Sequence, residues 1–406
     1  MRIAMISWES MHSIPVGGLA AHVTSLAEWL ARTGDDVHVF TRMGEGQPRY
    51  AFIGGVHHHR CPFDPRADFL TYVGRMGDAF AQRVAEADSF YGQAFDVVHA
   101  HDWLAVPAMD RLRSMVAAPQ VLTLHSTEYG RCGNRIVDGP SRRIRDLEWL
   151  GAFHAARVIC VSRALAEEVR GLYGVPADKL SVVYNGVDAA RFDEHVDVDE
   201  VRRSCGVDRA DPVVLFVGRL TWQKGPDLLL DAAPEVLRHV PTARFLFVGD
   251  GDMRSSLEGR AGDAGLFRSV RFLGTRGGSD LVGLFRSADV VCVPSRNEPF
   301  GIVVLEAWSA RQPVVVTTHG GPREFVRDQE TGWVVDPGSA SLGWALGAAL
   351  LDDVNACRIA ANGRVEAETR FAWSSVARQV RAIYASTMPG EVPGVSTPCD
   401  VTAGRG

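Results

Sequence analysis

Two cations in the segment VGRLTWQKGPD, residues 217–227, have the types and spacing that phosphate binding requires. Arg219 and Lys224 stand five residues apart, after an apolar run that predicts a strand and before a Gly-Pro pair that predicts a helix start. A guanidinium fork and a compact ammonium near a helix N-terminus can together hold a diphosphate. Of 43 basic side chains only Lys179 and Lys224 are lysines, so a merely solubilising charge here would be expected to be arginine. The alternative is a solvated pair on a surface loop.

A pair of glutamates eight residues apart frames the segment EPFGIVVLE. Glu298 precedes a predicted helix and Glu306 lies two turns inside it, so at about 1.5 Å per residue the two carboxylates cannot touch. We expect them to hold different parts of one long ligand, because carboxylates suit the paired hydroxyls of a ribose or a hexose. The backbone N–H groups expected to face that ligand belong to Phe300, Gly301, Ile302 and Val303. For either glutamate alone, the alternative is a role at the helix dipole or on a solvated face.

Polar residues also follow predicted strands in the first half of the chain. His101 and Asp102 lie in HAHDW, and His125 lies in LTLHS. Because consecutive parallel strands bring their ends to one sheet edge, these side chains are candidates for a site, although a lone histidine is more often structural. Gly17 and Gly18 lie between the first strand and the first helix, where they either present N–H groups to a ligand or form an ordinary tight turn.

The composition excludes several classes of protein. The chain has 406 residues, of which 46% are hydrophobic and 23% charged, as is typical of a globular protein of two or three domains. A net charge of −6 gives no general attraction to nucleic acid or to an anionic membrane. No stretch approaches about eighteen apolar residues, and the N-terminus lacks a signal-peptide pattern. We therefore expect a cytoplasmic protein without a membrane span.

Neither cysteine nor histidine usage predicts a metal site. The seven cysteines are scattered without a C-x-x-C pair, which fits a reducing compartment. In the run GGVHHHRC, His57 and His59 alternate on one face of a predicted strand and have no partner set. The sequence therefore predicts no bound metal and no cofactor.

Short apolar runs alternate with helical periodicity along the whole chain. Six predicted strands in each half are nearly continuous in apolar residues, which indicates parallel sheets covered on both faces. The acidic, strand-free residues 185–212 separate the two blocks. We predict an α/β fold of two doubly wound, Rossmann-like domains facing each other across a cleft, with ligands beyond the carboxyl ends of the strands. Residues 388–406 have no core-forming pattern and are predicted to be a disordered tail.

Taken together, these loops resemble the family 4 retaining glycosyltransferases of the GT-B fold, over about residues 1–387. The resemblance rests on GG near the N-terminus, HAHDW, TLHSTEYG, VSRALAEEV, YNGVD, VGRLTWQKG, VGDGD and the E-x7-E pattern of EPFGIVVLE. The first half looks most like archaeal and bacterial glycogen-synthase-like members. The resemblance implies an acceptor-binding domain over residues 1–190, a nucleotide-sugar-binding domain over residues 191–370, and a helix within residues 371–387 that crosses back to the first domain.

The resemblance also implies a role for each motif residue. Arg219 and Lys224 would clamp the diphosphate, and Lys224 would stabilise the charge on the leaving phosphate. Glu306 would bind the ribose hydroxyls, and Glu298 would contact the donor sugar. The other implied positions are the cradle of Phe300, Gly301, Ile302 and Val303, then Gly17 and Gly18 at the donor phosphate, His125 at the transferred sugar, and His101 and Asp102 on the acceptor side.

The implied reaction moves a hexose, with retention and without a metal, from UDP- or ADP-glucose to a hydroxyl acceptor. The chain lacks a D-x-D motif in the expected loop, in keeping with cationic side chains replacing a metal. Transfer to an α-glucan, as in glycogen synthases, is the expected activity. A small-molecule or lipid acceptor stays open because the five arginines of residues 131–145 form either a solvated helix face or an acceptor-side patch. A nucleotide-sugar epimerase or hydrolase and a non-catalytic nucleotide-sugar-binding regulator are the alternatives of other classes.

Overall fold

The computed structural model describes residues 1–90 and 93–388. The strands of the first sheet are β1 (Arg2–Ile6), β2 (Asp36–Arg42), β3 (Tyr50–Ile53), β4 (Val56–Cys61), β5 (Val97–His101), β6 (Gln120–Leu124), β7 (Arg157–Cys160) and β8 (Leu180–Val182). Their spatial order is β3-β4-β2-β1-β5-β6-β7-β8. All neighbours run parallel except β3 and β4, which form an antiparallel hairpin at one edge.

The second sheet is parallel throughout. Its strands are β9 (Val213–Val217), β10 (Arg244–Val248), β11 (Val270–Gly274), β12 (Val290–Val293), β13 (Val314–Thr317) and β14 (Trp333–Val335). Their spatial order is β11-β10-β9-β12-β13-β14. The order reverses direction between β9 and β12, which is the point where doubly wound sheets open a crevice for ligands.

Helices connect the strands and pack on both sheets. They are α1 (Gly18–Arg32), α2 (Phe69–Phe90), α3 (Val106–Leu112), α4 (Glu128–Arg131), α5 (Pro140–His154), α6 (Arg163–Tyr173), α7 (Val198–Ser204), α8 (Pro226–His239), α9 (Arg254–Asp263), α10 (Gly278–Ser287), α11 (Ile302–Ser309), α12 (Ser339–Leu351), α13 (Asp353–Thr369) and α14 (Trp373–Thr387). Within the described residues, no helix is long and apolar enough to cross a bilayer.

Burial explains why these segments form strands. The central strands β1, β5, β6, β9, β12 and β13 are apolar almost throughout and nearly wholly buried, as expected when helices cover both faces of a parallel sheet. Six strands were predicted in each half, and all twelve are present. The histidine run of β4 was also treated as a strand, so only β3 was not predicted; it is a four-residue, mostly exposed strand at the sheet edge.

The last helix returns to the first sheet. The chain passes from α13 to α14 beside the linker between the two sheets, where Val187 forms a parallel bridge with Ala372. Helix α14 then packs on α1, and its Tyr384 hydroxyl lies 2.7 Å from Nδ1 of His99 on β5. Arg381 on the same helix pairs with the buried Asp35 at 3.0 Å. The predicted fold class, including the helix that crosses back, is thereby confirmed.

The finer boundaries stay predictions. The strands of the first sheet end at residue 182 and those of the second begin at residue 213, on either side of the predicted boundary at residue 190. Of the predicted tail, residues 389–406 lie outside the described part of the chain.

Candidate active site

The predicted site residues converge where the carboxyl ends of the two sheets face each other. The N-terminus of α1 from the first sheet approaches the N-terminus of α11 from the second, and a Cβ placed on Gly18 would lie 3.3 Å from Cδ1 of Ile302. Helix N-termini carry unpaired N–H groups and a partial positive charge. Two of them facing one cleft make it a favourable place for an anionic ligand.

Lys224 and Glu298 form an ion pair on the second-domain wall of the cleft. The Lys224 ammonium donates to both carboxylate oxygens of Glu298 at 2.8 Å, and the Ser295 hydroxyl donates to Oε2 at 3.0 Å. The side chain of Lys224 keeps 23% of its surface exposed, whereas that of Glu298 keeps 7%. Sequence reasoning assigned these two residues separate tasks and did not foresee the pair. The carboxylate fixes the ammonium while its third N–H stays available to a ligand.

Arg219 stands beside this pair without a bonded partner. Its side chain is exposed and makes no hydrogen bond or ion pair with any residue that the structure describes. Desolvation and the charge of Arg131 lower the pKa of Arg219, and Glu298 and Asp252 oppose them. These interactions with residues of both domains place the guanidinium between the two walls. An unpaired cation in that position is suited to bind an anion.

Helix α11 begins with a glycine that the local backbone requires. Gly301 has φ 99°, and a Cβ there would lie 2.8 Å from Cγ of Pro322. Phe300 is 2% exposed and packs its ring against Phe325 at 5.1 Å, so only its backbone can face the cleft. The N–H groups of the next two positions find no backbone or side-chain acceptor in the described chain; they are those of Ile302 and Val303.

Glu306 is a carboxylate without hydrogen-bond donors around it. It is partly buried, and its side chain has no hydrogen bond or salt bridge within the described ranges. Burial raises the pKa of Glu306 to about 7, against the opposing charge of Arg191. A carboxylate held in this way gains most from a ligand that brings its own hydroxyl donors.

Four histidines form a buried cluster on the first-domain wall. Nδ1 of His101 lies 3.3 Å from Nε2 of His125, and the rings of His22 and His125 meet edge to face at 4.5 Å. Below them, His99 bonds Tyr384 and the Thr123 hydroxyl. Burial lowers the pKa of His125 to about 3 and holds those of the other three well below the usual range. The cluster is therefore neutral at physiological pH.

His125 and His101 differ in access to the cleft. His125 is partly exposed, so its neutral imidazole can exchange a hydrogen bond with a sugar hydroxyl. His101 is fully buried, so the structure does not bring it to the surface where an acceptor would bind. His101 was predicted to lie on the acceptor side, and in this structure it can act there only through its contact with His125.

Asp102 joins the loops after β5 and β6. Its carboxylate accepts from the backbone N–H of His125 at 2.8 Å, and its own backbone has φ 59°, which non-glycine residues seldom adopt. Such a backbone costs roughly 1–3 kcal/mol and persists only where its surroundings impose it. In this structure Asp102 positions His125.

Glu9 was missed by sequence reasoning and lies under the Gly17–Gly18 turn. It is 3% exposed, and its Oε2 accepts from the backbone N–H groups of Val16 at 2.6 Å and Gly17 at 3.0 Å. Burial raises the pKa of Glu9, against these two hydrogen bonds. The Gly17 N–H is thus already bonded, which leaves Gly18 as the glycine that faces the other domain. A carboxylate in the loop just after the first strand was the available signal.

The arginine-rich residues 131–145 divide into two parts. Arg131 is enclosed by carboxylates: it donates to Glu128 at 3.1 Å and to Glu148 at 2.5 Å. The side chain of Glu148 has no exposed surface. Burial acts to lower the pKa of Arg131, but the surrounding carboxylates raise it. The arginines further along are exposed, as in the ion pair of Arg145 with Asp146.

Between these two parts, the stretch touches the second domain. Asn134 accepts a hydrogen bond of 2.7 Å from the Asn297 side chain, next to Glu298. Arg135 beside it is exposed and has no hydrogen bond or ion pair with another described residue. This end of the stretch therefore lies at the mouth of the cleft.

A cleft between two doubly wound sheets, with its cations on the second-domain wall and a returning C-terminal helix, is the architecture of the GT-B glycosyltransferases. Two family descriptions match the chain, "Glycosyltransferase Family 4" over residues 16–191 and "Glycosyl transferases group 1" over residues 197–366. The chain belongs to the family 4 glycosyltransferases of the GT-B fold.

Relatives along the whole chain agree with this membership. A glycosyltransferase of Methanocaldococcus jannaschii is 37% identical over 96% of this chain and 99% of its own. A glycogen synthase of Mycobacterium tuberculosis is 31% identical, with 96% of each chain covered. A D-inositol 3-phosphate glycosyltransferase of Corynebacterium aurimucosum is 31% identical over 97% of this chain and 98% of its own.

Solved structures share the fold. Sucrose-phosphate synthase from Thermosynechococcus elongatus superimposes with a TM-score of 0.79 at 25% identity and covers 95% of this chain and 98% of its own. An Anabaena protein, HepE, solved with UDP and glucose, gives a TM-score of 0.76 at 23% identity, with 95% of this chain and all of that one covered.

Proposed function

We propose that this glycosyltransferase moves glucose, with retention and without a catalytic metal, from UDP- or ADP-glucose to the hydroxyl of an α-glucan. The observation that carries the proposal is the second-domain wall, where Arg219 and Glu306 have no bonded partner among the described residues and Lys224, paired with Glu298, keeps one N–H for a ligand. The Mycobacterium tuberculosis relative, a glycogen synthase, supports the glucan as acceptor.

The donor fits the wall from one end to the other. The diphosphate lies between Arg219 and Lys224, near the first N–H groups of α11. The ribose hydroxyls donate to the Glu306 carboxylate, which has no other donor among the described residues. The sugar extends toward Glu298 and toward the neutral imidazole of His125 across the cleft. Apart from Glu298, which Lys224 and Ser295 already bond, each contact satisfies a group that the described part of the protein leaves unpaired or partly exposed.

Charge develops on the leaving group as the reaction proceeds. The bond between the anomeric carbon and the phosphate oxygen breaks, and its electron pair goes to the phosphate. Arg219 and Lys224 stabilise that charge more in the transition state than in the ground state, because it grows between them. The acceptor hydroxyl attacks the face that the phosphate leaves, and its proton passes to a phosphate oxygen. These cations perform the task that a metal ion has in other transferases.

A small phosphorylated acceptor is the second candidate. Arg135 is exposed and unpaired at the mouth of the cleft, where it can bind a phosphate. A Corynebacterium relative is named for a phosphorylated inositol, which agrees with this choice. In this case the product is a single-sugar adduct rather than a lengthened polymer.

A donor and acceptor panel tests both candidates. The purified chain is incubated in EDTA with UDP-, ADP-, GDP- and TDP-sugars, each with maltooligosaccharides and with a pool of phosphorylated polyols and sugars. A ladder of lengthened maltooligosaccharides with retained anomeric configuration supports glucan synthesis. A single adduct that Arg135→Ala weakens supports the phosphorylated acceptor. Tight donor binding without any turnover would contradict both candidates and favour a regulator.

Lys179→Ala is the matched control for Lys224→Ala in this panel, because these two are the chain's only lysines. Lys179 donates to the backbone carbonyl of Phe153 near the end of α5, and neither residue belongs to the cleft. Loss of the Lys179 side chain is therefore expected to leave turnover unchanged. Release of nucleoside diphosphate from the donor without any acceptor, at the rate seen with acceptor, would indicate a hydrolase.

A further inference from the structure

Histidines at the edge of the first sheet find partners on a neighbouring strand. In the register between β2 and β4, His38 stands opposite His57, and their rings stack 4.4 Å apart. Asp36 lies two residues before His38 on the same strand. The sequence assigned His57 no partner set because the partners belong to a strand about twenty residues away, and only the register brings them together.

Three ligand atoms of suitable type meet at this place. Oδ1 of Asp36 lies 3.2 Å from Nε2 of His38 and 3.4 Å from Nε2 of His57, and the three atoms lie within 4.8 Å of one another. Zinc bonds imidazole nitrogen and carboxylate oxygen at about 2.0–2.2 Å, so neighbouring ligands of a tetrahedral zinc stand roughly 3.3–3.5 Å apart. Both measured separations match that spacing.

The second nitrogen of each imidazole is also held. Nδ1 of His57 lies 2.8 Å from the Tyr50 hydroxyl, and Nδ1 of His38 lies 3.0 Å from Nε2 of His59. A metal-bound histidine normally donates its other N–H to such a partner, which fixes the tautomer and the ring orientation. Here both Nδ1 atoms are engaged, and both Nε2 atoms face the Asp36 carboxylate.

The surroundings permit a cation to enter. The side chain of Asp36 is 46% exposed and that of His57 is 24% exposed, so a cation can approach from their side, whereas the side chain of His38 is 1% exposed and closes the site from within. Arg2 donates to the other oxygen of Asp36, Oδ2, at 3.2 Å. Its positive charge opposes a metal, yet its hydrogen bond holds Oδ1 toward the imidazoles. The two rings are nearly parallel, with 10° between their planes, so the His57 ring must rotate about its side-chain bonds before both Nε2 lone pairs point at one ion, and the partly exposed His57 has the room to do so.

We infer that Asp36, His38 and His57 form a zinc site, with a solvent molecule as the fourth ligand. Two imidazoles and one carboxylate suit Zn²⁺ better than Mg²⁺ or Ca²⁺, which favour oxygen alone. The site lies at the amino ends of β2 and β4, whereas the candidate active site lies at carboxyl ends. The ion therefore links two strands at the sheet edge and stabilises the folded state without entering the reaction.

Metal titration of the full chain, produced without a histidine tag and stripped by a chelator, tests this inference. We expect about one Zn²⁺ per chain, a rise in melting temperature with zinc, and the strong visible absorption of tetrahedral Co²⁺ when cobalt replaces it. His57→Ala and Asp36→Asn should each weaken zinc binding by about 100-fold, and Tyr50→Phe by about tenfold. Turnover should not depend on the metal.

His239→Ala is the matched control, since His239 is an exposed histidine with a carboxylate, Glu235, at 3.4 Å and no third ligand within the described chain. It should bind zinc like the natural chain. Melting temperatures of the metal-free variants establish that each is folded. Equal zinc binding by the natural chain and His57→Ala would overturn the inference, and would move the ion to the other histidine group, His22, His101 and His125.

Discussion

The two walls of the cleft hold their polar groups in opposite ways. On the first-domain wall, Glu9, Asp102 and Arg131 are bonded within the protein. On the second-domain wall, Arg219 and Glu306 have no bonded partner among the described residues, and Lys224 is only partly satisfied. The first wall is therefore organised before any ligand arrives, whereas the second gains its partners from the ligand. A buried polar group without a partner lowers the stability of the free protein. A ligand that supplies the partner binds more tightly as a result.

The largest effect should come from removing a cation of the second wall. We expect Lys224→Ala to lower kcat by about 10²–10³-fold, as loss of one preorganised charge-stabilising group does elsewhere. The unfolding free energy should fall less than on the first wall, because Lys224 is 23% exposed and Glu298 keeps the Ser295 hydroxyl as a donor. Steady-state kinetics alongside chemical denaturation measure both quantities. A variant that is inactive because it is unfolded would contradict the prediction that Lys224 acts mainly on turnover.

On the first wall, the same kind of substitution should act on stability. Arg131→Met leaves the wholly buried Glu148 without its cation, and we expect a loss of about 3 kcal/mol of unfolding free energy. Arg145→Met, from the same stretch, breaks an exposed pair and should cost less than about 1 kcal/mol. Urea denaturation of the two variants decides the matter. Equal losses of unfolding free energy would mean that the ion pairs of Arg131 contribute no more to stability than the exposed ion pair of Arg145.

Glu306 should give donor binding a pH dependence. Its folded pKa of about 7 means that the carboxyl is largely protonated below neutrality. Ribose hydroxyls donate to the ionised form, so donor affinity should rise about tenfold between pH 6 and pH 8. A nucleotide sugar has no group that titrates in this range. Calorimetry with ADP- or UDP-glucose measures the slope, which Glu306→Gln should abolish; an unchanged slope would assign it to another group.

The smallest effect should come from the support beneath the first wall. Tyr384→Phe removes the hydroxyl that contacts His99, and we expect a loss of about 1 kcal/mol of unfolding free energy. Ser386→Ala, on the same helix, removes only an exposed local bond and should be nearly neutral. Denaturation curves compare the two. A Tyr384→Phe variant as stable as the natural chain would show that the buried histidines tolerate loss of that partner.

The fold could be predicted because its signals are local. Central parallel strands read as continuous apolar runs, so all twelve predicted strands are present, and helix α14 lies within the predicted range. The hairpin was missed because β3, its edge strand, is only four residues long and mostly exposed, so it lacks the long apolar run of a central strand. Its register with β2 is a tertiary fact that no single stretch of sequence contains.

The site could be predicted only in part. Arg219, Lys224, Glu298 and Glu306 sit at strand and helix ends that sequence patterns locate, and the structure brings them to one wall. The ion pair of Lys224 with Glu298 was not foreseen, because the two residues lie 74 positions apart. The full burial of His101 was not foreseen either, since its strand also buries its last residue.

The bridge between Val187 and Ala372 has a mechanical consequence. The chain crosses between the two domains twice, once on each side of this bridge, and the Val187 N–H also bonds the Phe371 carbonyl at 2.9 Å. Two crossings tied side by side act like the pin of a hinge. They leave rotation about one axis as the easy motion and resist twisting or sliding of one domain over the other. The two domains should therefore rotate about this one axis as the cleft opens and closes. The residues of the two walls should then face each other in the same register at each closure.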